Sequence, residues 1–156
     1  WFRFVWRNYP DRLGEGGREF SEGLDGFLAR RFERLAGEIA VLPFEPTRKG
    51  RWWGARREGG ERRVEEIDLV ALDERASQIA FVEAKWSRLG EREARRELGR
   101  LGEKAKLVDW RPGSRKEHFG LVAREVGGKE GLRQEGFLVF DLEELRRNVH
   151  GRGLAA

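Results

Sequence analysis

Apolar and polar positions alternate in strand fashion over Val64–Leu72 and again over Ser77–Trp86, with a polar break at Asp73–Ala76 between them. Two such runs around a short turn predict an antiparallel hairpin. Successive strand side chains point to opposite faces. Ile67, Leu69 and Ala71 therefore fall on one face, and a turn near Glu74–Ala76 brings Ala80, Val82, Ala84 and Trp86 to the same side. That face is apolar or small throughout and is predicted core. The opposite face is split. Near the turn it carries Val70, Leu72, Ile79 and Phe81, and away from it Glu66, Asp68, Glu83 and Lys85.

Helical spacing of Leu24, Phe27, Leu28, Phe32, Leu35 and Ile39 predicts a first helix over residues 21–40. Glu33 lies off that stripe, in line with Ala29, Ala36, Gly37 and Ala40. Small neighbours let a helix approach a sheet closely, so Glu33 faces either the sheet or solvent. Pro43 and Pro46 break the chain, and Arg48–Arg57 reads as a strand. A second helix is predicted over Leu89–Trp110, with Ala94, Leu98, Leu101, Ala105 and Val108 as its buried stripe. Pro112 and Gly113 end it. His118–Ala123 and Phe137–Phe140 read as short strands joined by a polar, helical connection over 127–135. Asp141 is the expected cap of a last helix, Leu142–Val149. The predicted fold class is α/β, built on a mixed sheet. Residues 1–20 are expected to form an aromatic arm, 21–150 the domain and 151–156 a mobile tail. Aromatics as dense as Trp1–Trp6 are expected to pack on a core or an adjoining domain, base stacking being the alternative.

With 156 residues the chain is large enough for one domain with a real core. Charged residues make up 38%, and the formal net charge is +4, which permits an anionic partner. Cys is absent, which excludes disulfides, a zinc–thiolate cluster and a thiol nucleophile. Abundant charge without Cys or Met fits a thermophile. Met is absent altogether and the chain opens on Trp1, so a C-terminal piece of a longer protein is expected. No apolar run is long enough to span a bilayer and no secretory signal is visible, so a cytoplasmic location is expected. No phosphate-binding glycine loop precedes a Lys-Ser/Thr pair, and no GxGxxG follows a strand, which argues against nucleotide binding. His118 and His150 stand alone and are expected to be structural or surface residues.

The candidate chemistry sits on the charged end of the hairpin. Asp68 and Glu83 come out opposite or diagonal to each other, and two carboxylates that close repel unless a cation or proton lies between them. A hard divalent ion takes oxygen ligands from such a pair. The residues equally allow a cross-strand salt bridge, Asp68 or Glu66 with Lys85. On the second helix Arg92, Arg96, Arg100 and Lys104 recur at intervals of four. They read either as a solvated face diluted by Glu91, Glu93, Glu97 and Glu103 or as a basic ridge for phosphates.

The order helix, three strands, helix, strand, with acids on the hairpin, resembles the PD-(D/E)xK nuclease superfamily. Motif II corresponds to Ile67-Asp68, with Ile in place of the usual Pro, and motif III to Glu83-Ala84-Lys85. More narrowly, Phe2–Val5, Gly50–Trp53, Glu66–Ala71 and Phe81–Trp86 look like the C-terminal domain of archaeal P-loop ATPases of the STAND class, in which a nucleotide-binding domain and a winged-helix segment come first. The resemblance implies a restriction-endonuclease-like αβββαβ core with an added C-terminal strand and helix. It also implies a Mg²⁺ or Mn²⁺ site held by Asp68, Glu83, the carbonyl of Ala84 and Glu33. Lys85 would orient the attacking water or stabilise transition-state charge. DNA would be the substrate, and Arg92, Arg96, Arg100 and Lys104 would hold its phosphates. A catalytically silent docking module of the parent ATPase is the alternative it leaves.

Overall fold

In a computed structural model, which describes residues 17–153, the elements run α1 (Gly17–Ile39), β1 (Arg48–Glu58), β2 (Glu61–Asp73), β3 (Gln78–Leu89), α2 (Glu91–Ala105), β4 (Lys116–Val126), α3 (Lys129–Gln134), β5 (Leu138–Asp141) and α4 (Leu142–Gly153). The five strands form one sheet in sequence order. β1–β2 and β2–β3 are antiparallel, and β3–β4 and β4–β5 are parallel. The predicted α/β class with a mixed sheet is what the chain adopts. The parallel steps need crossovers, and α2 and α3 supply them.

Helices cover both faces. On one face Phe32 and Ala36 of α1 and Leu145 of α4 pack on Leu69, Val82, Ala84 and Val122. On the other, Leu101, Ala105 and the following Val108 pack on Ile67, Ile79 and Phe81. Ala94, Leu98 and Leu132 pack there on Leu121, Ala123 and Val139. Fully burying one such large apolar side chain contributes about 1.5–3 kcal/mol, so the stripe predicted for α2 carries much of this layer.

Several expectations shift. α1 begins by Gly17 rather than at residue 21, so the boundary of the proposed arm at residue 20 falls inside a helix. Its buried line runs through Phe32 and Ala36, while Leu35 is exposed at 38%. Small Ala36 brings the helix close to the sheet and turns Leu35 to the rim. α2 is shorter than Leu89–Trp110, because Leu89 still belongs to β3 and its carbonyl accepts from Gly127 N. At the other end Arg115, nearly fully buried, donates to the carbonyls of Ala105, Val108 and Trp110 at 3.0, 2.6 and 2.7 Å. That cap holds Val108 buried beyond the helix end. The last helix runs to Gly153, past the tail boundary expected at residue 151. The aromatic run Trp1–Trp6 lies outside the described residues. No helix among the described residues is long and apolar enough to cross a membrane.

Candidate active site

The charged end of the hairpin is where β2 and β3 part. Their ladder runs from Asp73↔Gln78 to Leu69↔Val82 and stops there. On the other side of β2, Gly50 pairs with Val70 but Trp52 pairs with Ile67, so β2 carries one extra residue opposite Arg51. Such a bulge bends a strand and re-aims its side chains. Ile67 is consequently turned to the α2 face, beside Ile79 and Phe81, and not to the Leu69 face that simple alternation predicts. Asp68 occupies the bulge. Its Oδ2 accepts from Ala84 N at 2.9 Å, in place of a ladder bond between the parted strands.

Glu83 stands next to this bond on β3, on the α2 face, and is only 4% exposed. Lys104 of α2 donates to Glu83 Oε1 and, at 2.8 Å, to the carbonyl of Glu66. Lys85 Nζ lies 3.5 Å from Glu83 Oε2. Burial pushes the Glu83 carboxyl above the usual carboxylate range; Lys104 and Lys85 pull it down, and Asp68, by hydrogen bonding and by charge, pushes it up again, leaving it raised. For Lys85, burial works against the ammonium, but Glu83, Asp68 and Glu97 outweigh it and hold the group cationic.

Glu33 comes to the same place from α1. Its Oε2 accepts from Arg51 Nη2 at 2.5 Å, and that nitrogen lies 3.5 Å from Asp68 Oδ1. Arg51 Nη1 is 3.3 Å from Glu66 Oε1. Burial would lower the Arg51 pKa, yet its three acidic neighbours raise it. Glu33 thus faces the sheet, as one of its two sequence readings requires, but it reaches Asp68 through a guanidinium.

The fork opens on both faces. On the α1 face lies a recess of ≈ 390 Å³ lined by Arg30, Glu33, Arg34, Lys49, Arg51 and Asp68 among others. On the α2 face a second of ≈ 390 Å³ is lined by Arg56, Glu65, Glu83, Lys85, Glu97, Arg100 and Lys104. Among the described residues no three His, Cys, Asp or Glu side chains are gathered as a ready ligand cage. The donor set at the fork is two carboxylates, Asp68 and Glu83, near enough to raise the Glu83 pKa. Two carboxylates suit a hard cation that retains several waters. The cationic side chains of Arg51, Lys85 and Lys104 now supply the opposing charge.

The four-residue repeat on α2 does not form one continuous ridge. Arg92 and Arg96 are exposed and make no ion pair among the described residues. Arg100 pairs with Glu97 at 2.9 Å, and Lys104 turns inward to Glu83. Arg51 and Lys104 are the site residues that pattern reading missed or misplaced. Lys104 had a signal, since it lies beside Leu101 and Ala105 at the edge of the buried stripe. Arg51 had none, because the bulge that places it is not written in the alternation. Glu91 pairs with Arg95 as its spacing predicts, and Arg95 also binds Glu135. His118 packs on Phe44 and hydrogen-bonds Gln78 at 3.1 Å, a structural role. The His150 side chain lies outside the described ones.

Comparison with known proteins adds relatives without a described activity. Over 154 residues the chain is 30% identical to an uncharacterized protein of Methanocaldococcus jannaschii, MJECL04; the match covers 92% of this chain and 32% of that protein. The chain therefore spans about a third of the length of that relative. Among solved structures it is similar to the crystal structure of protein VC1899 from Vibrio cholerae, with a TM-score of 0.49 and 15% identity, over 87% of this chain and 34% of that one. A family match extends over residues 1–97, which include both Asp68 and Glu83: the chain belongs to the DUF234 family, described as archaea bacterial proteins of unknown function.

Proposed function

We propose that the domain hydrolyses DNA phosphodiester bonds with a divalent metal, as a PD-(D/E)xK-type nuclease with a restriction-endonuclease-like core, and that it serves as the C-terminal domain of an archaeal, cytoplasmic STAND-class ATPase. The observation that carries the chemistry is the meeting of Asp68 and Glu83 at the β2–β3 fork with Lys85 alongside. Asp68, Glu83 and the carbonyl of Ala84 would hold Mg²⁺ or Mn²⁺, and Glu33 would join directly or through water once Arg51 releases it. When bound, such an ion lowers the pKa of a bound water and stabilises charge on the scissile phosphate.

The chain's own groups then divide the work. The bond from Ala84 N fixes the Asp68 carboxylate at the fork. Burial of Glu83 excludes water from the strand side, and its raised pKa reflects that burial, with Asp68 adding to it, outweighs its two lysines. Lys85, held cationic and about one-third exposed, can place its ammonium on the attacking water or on a phosphate oxygen. Arg92 and Arg96, exposed on the same helix as Lys104, are free to take backbone phosphates.

The longer archaeal relative, of which the chain spans about a third, supports a larger parent protein, and the ATPase identity rests on the motif resemblance alone. One observation favours a catalytically silent DNA- or protein-docking module instead. Each site carboxylate already has a cationic neighbour from its own chain, Arg51 for Glu33 and Asp68, and Lys104 and Lys85 for Glu83. The test is cleavage of assorted DNA forms with Mn²⁺ and with EDTA, paired with Mn²⁺ calorimetry. The nuclease reading expects Lys85→Ala to keep metal binding while cleavage falls by about 10²-fold or more. Wild-type protein that neither binds Mn²⁺ nor nicks any DNA form, alone or with the ATPase, would return the site to the docking reading.

A further inference from the structure

β1 and β2 do not end where the rest of the sheet does. Their pairing continues to Glu58↔Glu61, whereas β2 leaves β3 at Leu69↔Val82. Among the described residues the outer parts of both strands therefore form a two-stranded ribbon paired only with itself. Trp53 is 61% exposed on this ribbon and Val64 is 68% exposed. Trp53 pairs with Glu66, and Ala55 with Val64. Directly paired residues share a face, so Trp53 and Val64 lie on one side, together with Lys49 and Arg51.

That side is the α1 side. Along it, Arg30 and Arg34 of α1 and Lys49 and Arg51 of β1 converge on the recess whose floor carries Asp68 and Glu33. Arg30 and Lys49 are exposed and make no ion pair among the described residues. Arg34 is held by Glu38 of its own helix. Trp53 stands two residues beyond Arg51 on the same face, about 6.6 Å along the strand. An exposed indole in line with cations joins the two features that bind unpaired nucleic acid, a backbone track and a stacking platform. A base inside an intact duplex would have to leave its stack to meet that ring. A protein partner would use the apolar Trp53 and Val64 but would leave exposed Arg30 and Lys49 without a purpose.

We propose that the cleft between α1 and β1 is a track for a single nucleic-acid strand, with phosphates on Arg30, Lys49 and Arg51 and a base stacked on Trp53, leading to Asp68. It rests on the reading that Asp68 belongs to a phosphodiester-cleaving site. It adds the substrate form, a single-stranded or frayed end rather than a continuous duplex, and the face of approach.

The experiment is fluorescence anisotropy with labelled oligothymidylate and with a duplex of equal length, in EDTA so that nothing is cut. The single strand is expected to bind more tightly. Trp53→Ala should weaken its binding about 5- to 150-fold, and Trp53→Phe should retain most of it. The double variant Arg30→Ala/Lys49→Ala should reduce the salt slope by about 0.7 per charge removed. All three positions are exposed, so the variants are expected to fold, and circular dichroism checks that. Duplex preference, unchanged binding in Trp53→Ala, or no binding of either DNA would overturn the track, and so would a loss confined to Arg92→Ala/Arg96→Ala on the opposite face. Cleavage separates the two readings. If the track fails but the nuclease reading holds, wild-type protein still cuts duplex with Mn²⁺. If the nuclease reading fails but the track holds, single-strand binding persists in EDTA while neither DNA form is cut with Mn²⁺.

Discussion

Glu83 and Asp141 are the buried acidic residues among those described, 4% and 9% exposed, and the fold treats them in opposite ways. Asp141 closes the end of β5 and opens α4. Its Oδ1 accepts from Glu144 N at 3.0 Å, and Glu144 Oε2 accepts in turn from Asp141 N at 3.2 Å. This reciprocal cap satisfies two helix-end donors. Lys129 donates to Asp141, and Arg133 grips Glu144 with both carboxylate oxygens at 2.8 Å. Burial would raise both pKa values, but these cations and backbone donors outweigh it and hold both below the ordinary range. At the fork, burial raises Glu83, Asp68 adds to it, and two lysines do not fully compensate. One acid pair is closed by its own chain. The other is left short of positive charge in an open recess. The second arrangement is the one that marks a candidate site.

Removing one acid from each pair should produce opposite effects. Asp68→Ala should abolish Mn²⁺ affinity and bring DNA cleavage to background, while Asp141→Ala should leave turnover per folded molecule unchanged. Stability should respond the other way. Asp141→Ala is expected to cost about 1–2 kcal/mol, because a cap is lost while Lys129 keeps Glu144 at 3.3 Å. Asp68→Ala is expected to cost less than about 1 kcal/mol, since a repulsion goes with the bond. Urea unfolding checks both, and equal losses would mean that the fork is as structural as the α4 cap.

A smaller effect is expected along α2. Lys104→Ala removes the cation that donates to buried Glu83 and should destabilise by about 1–3 kcal/mol. Arg96→Ala, exposed on the same four-residue repeat, should stay within about 0.5 kcal/mol. Matching values would restore the single ridge read from the sequence.

The smallest expected effect is the pH dependence of stability, and its sign separates the pairs. Asp141 and Glu144 have depressed folded pKa values, so their contribution is present above the ordinary carboxylate range and is lost as pH falls through those values. Glu83 has a raised one, so its contribution is full below the ordinary range and is lost as pH rises through the folded value. Denaturant unfolding of Asp141→Asn and Glu83→Gln at several pH values should show this. The deficit of the first variant should shrink in acid. Wild type should gain on the second in acid, and parallel curves would show that the two pairs are equivalent.

Residue pattern by itself determined the elements, their order and most of the core. The alternation in Val64–Leu72 and Ser77–Trp86, the α2 stripe and the Asp141 cap all act over a few residues, where side-chain periodicity and backbone donors decide the outcome. It also put Asp68, Glu83 and Lys85 at one end of the hairpin, but parity expected Asp68 and Glu83 on a single face, whereas Asp68, in the bulge, lines the α1-face recess and Glu83 the α2-face one. Tertiary structure decided the rest. The bulge opposite Arg51 comes from how β1 pairs with β2, and it alone moves Ile67 to the α2 face and sets Asp68 against Ala84 N. Glu33 meets Asp68 through Arg51 because three elements converge there. Lys104 leaves the ridge because a long side chain at the edge of a buried stripe reaches a carboxylate that burial has left short of charge. Parity and periodicity describe one strand or helix at a time, and these contacts exist only once the separate elements have packed against each other.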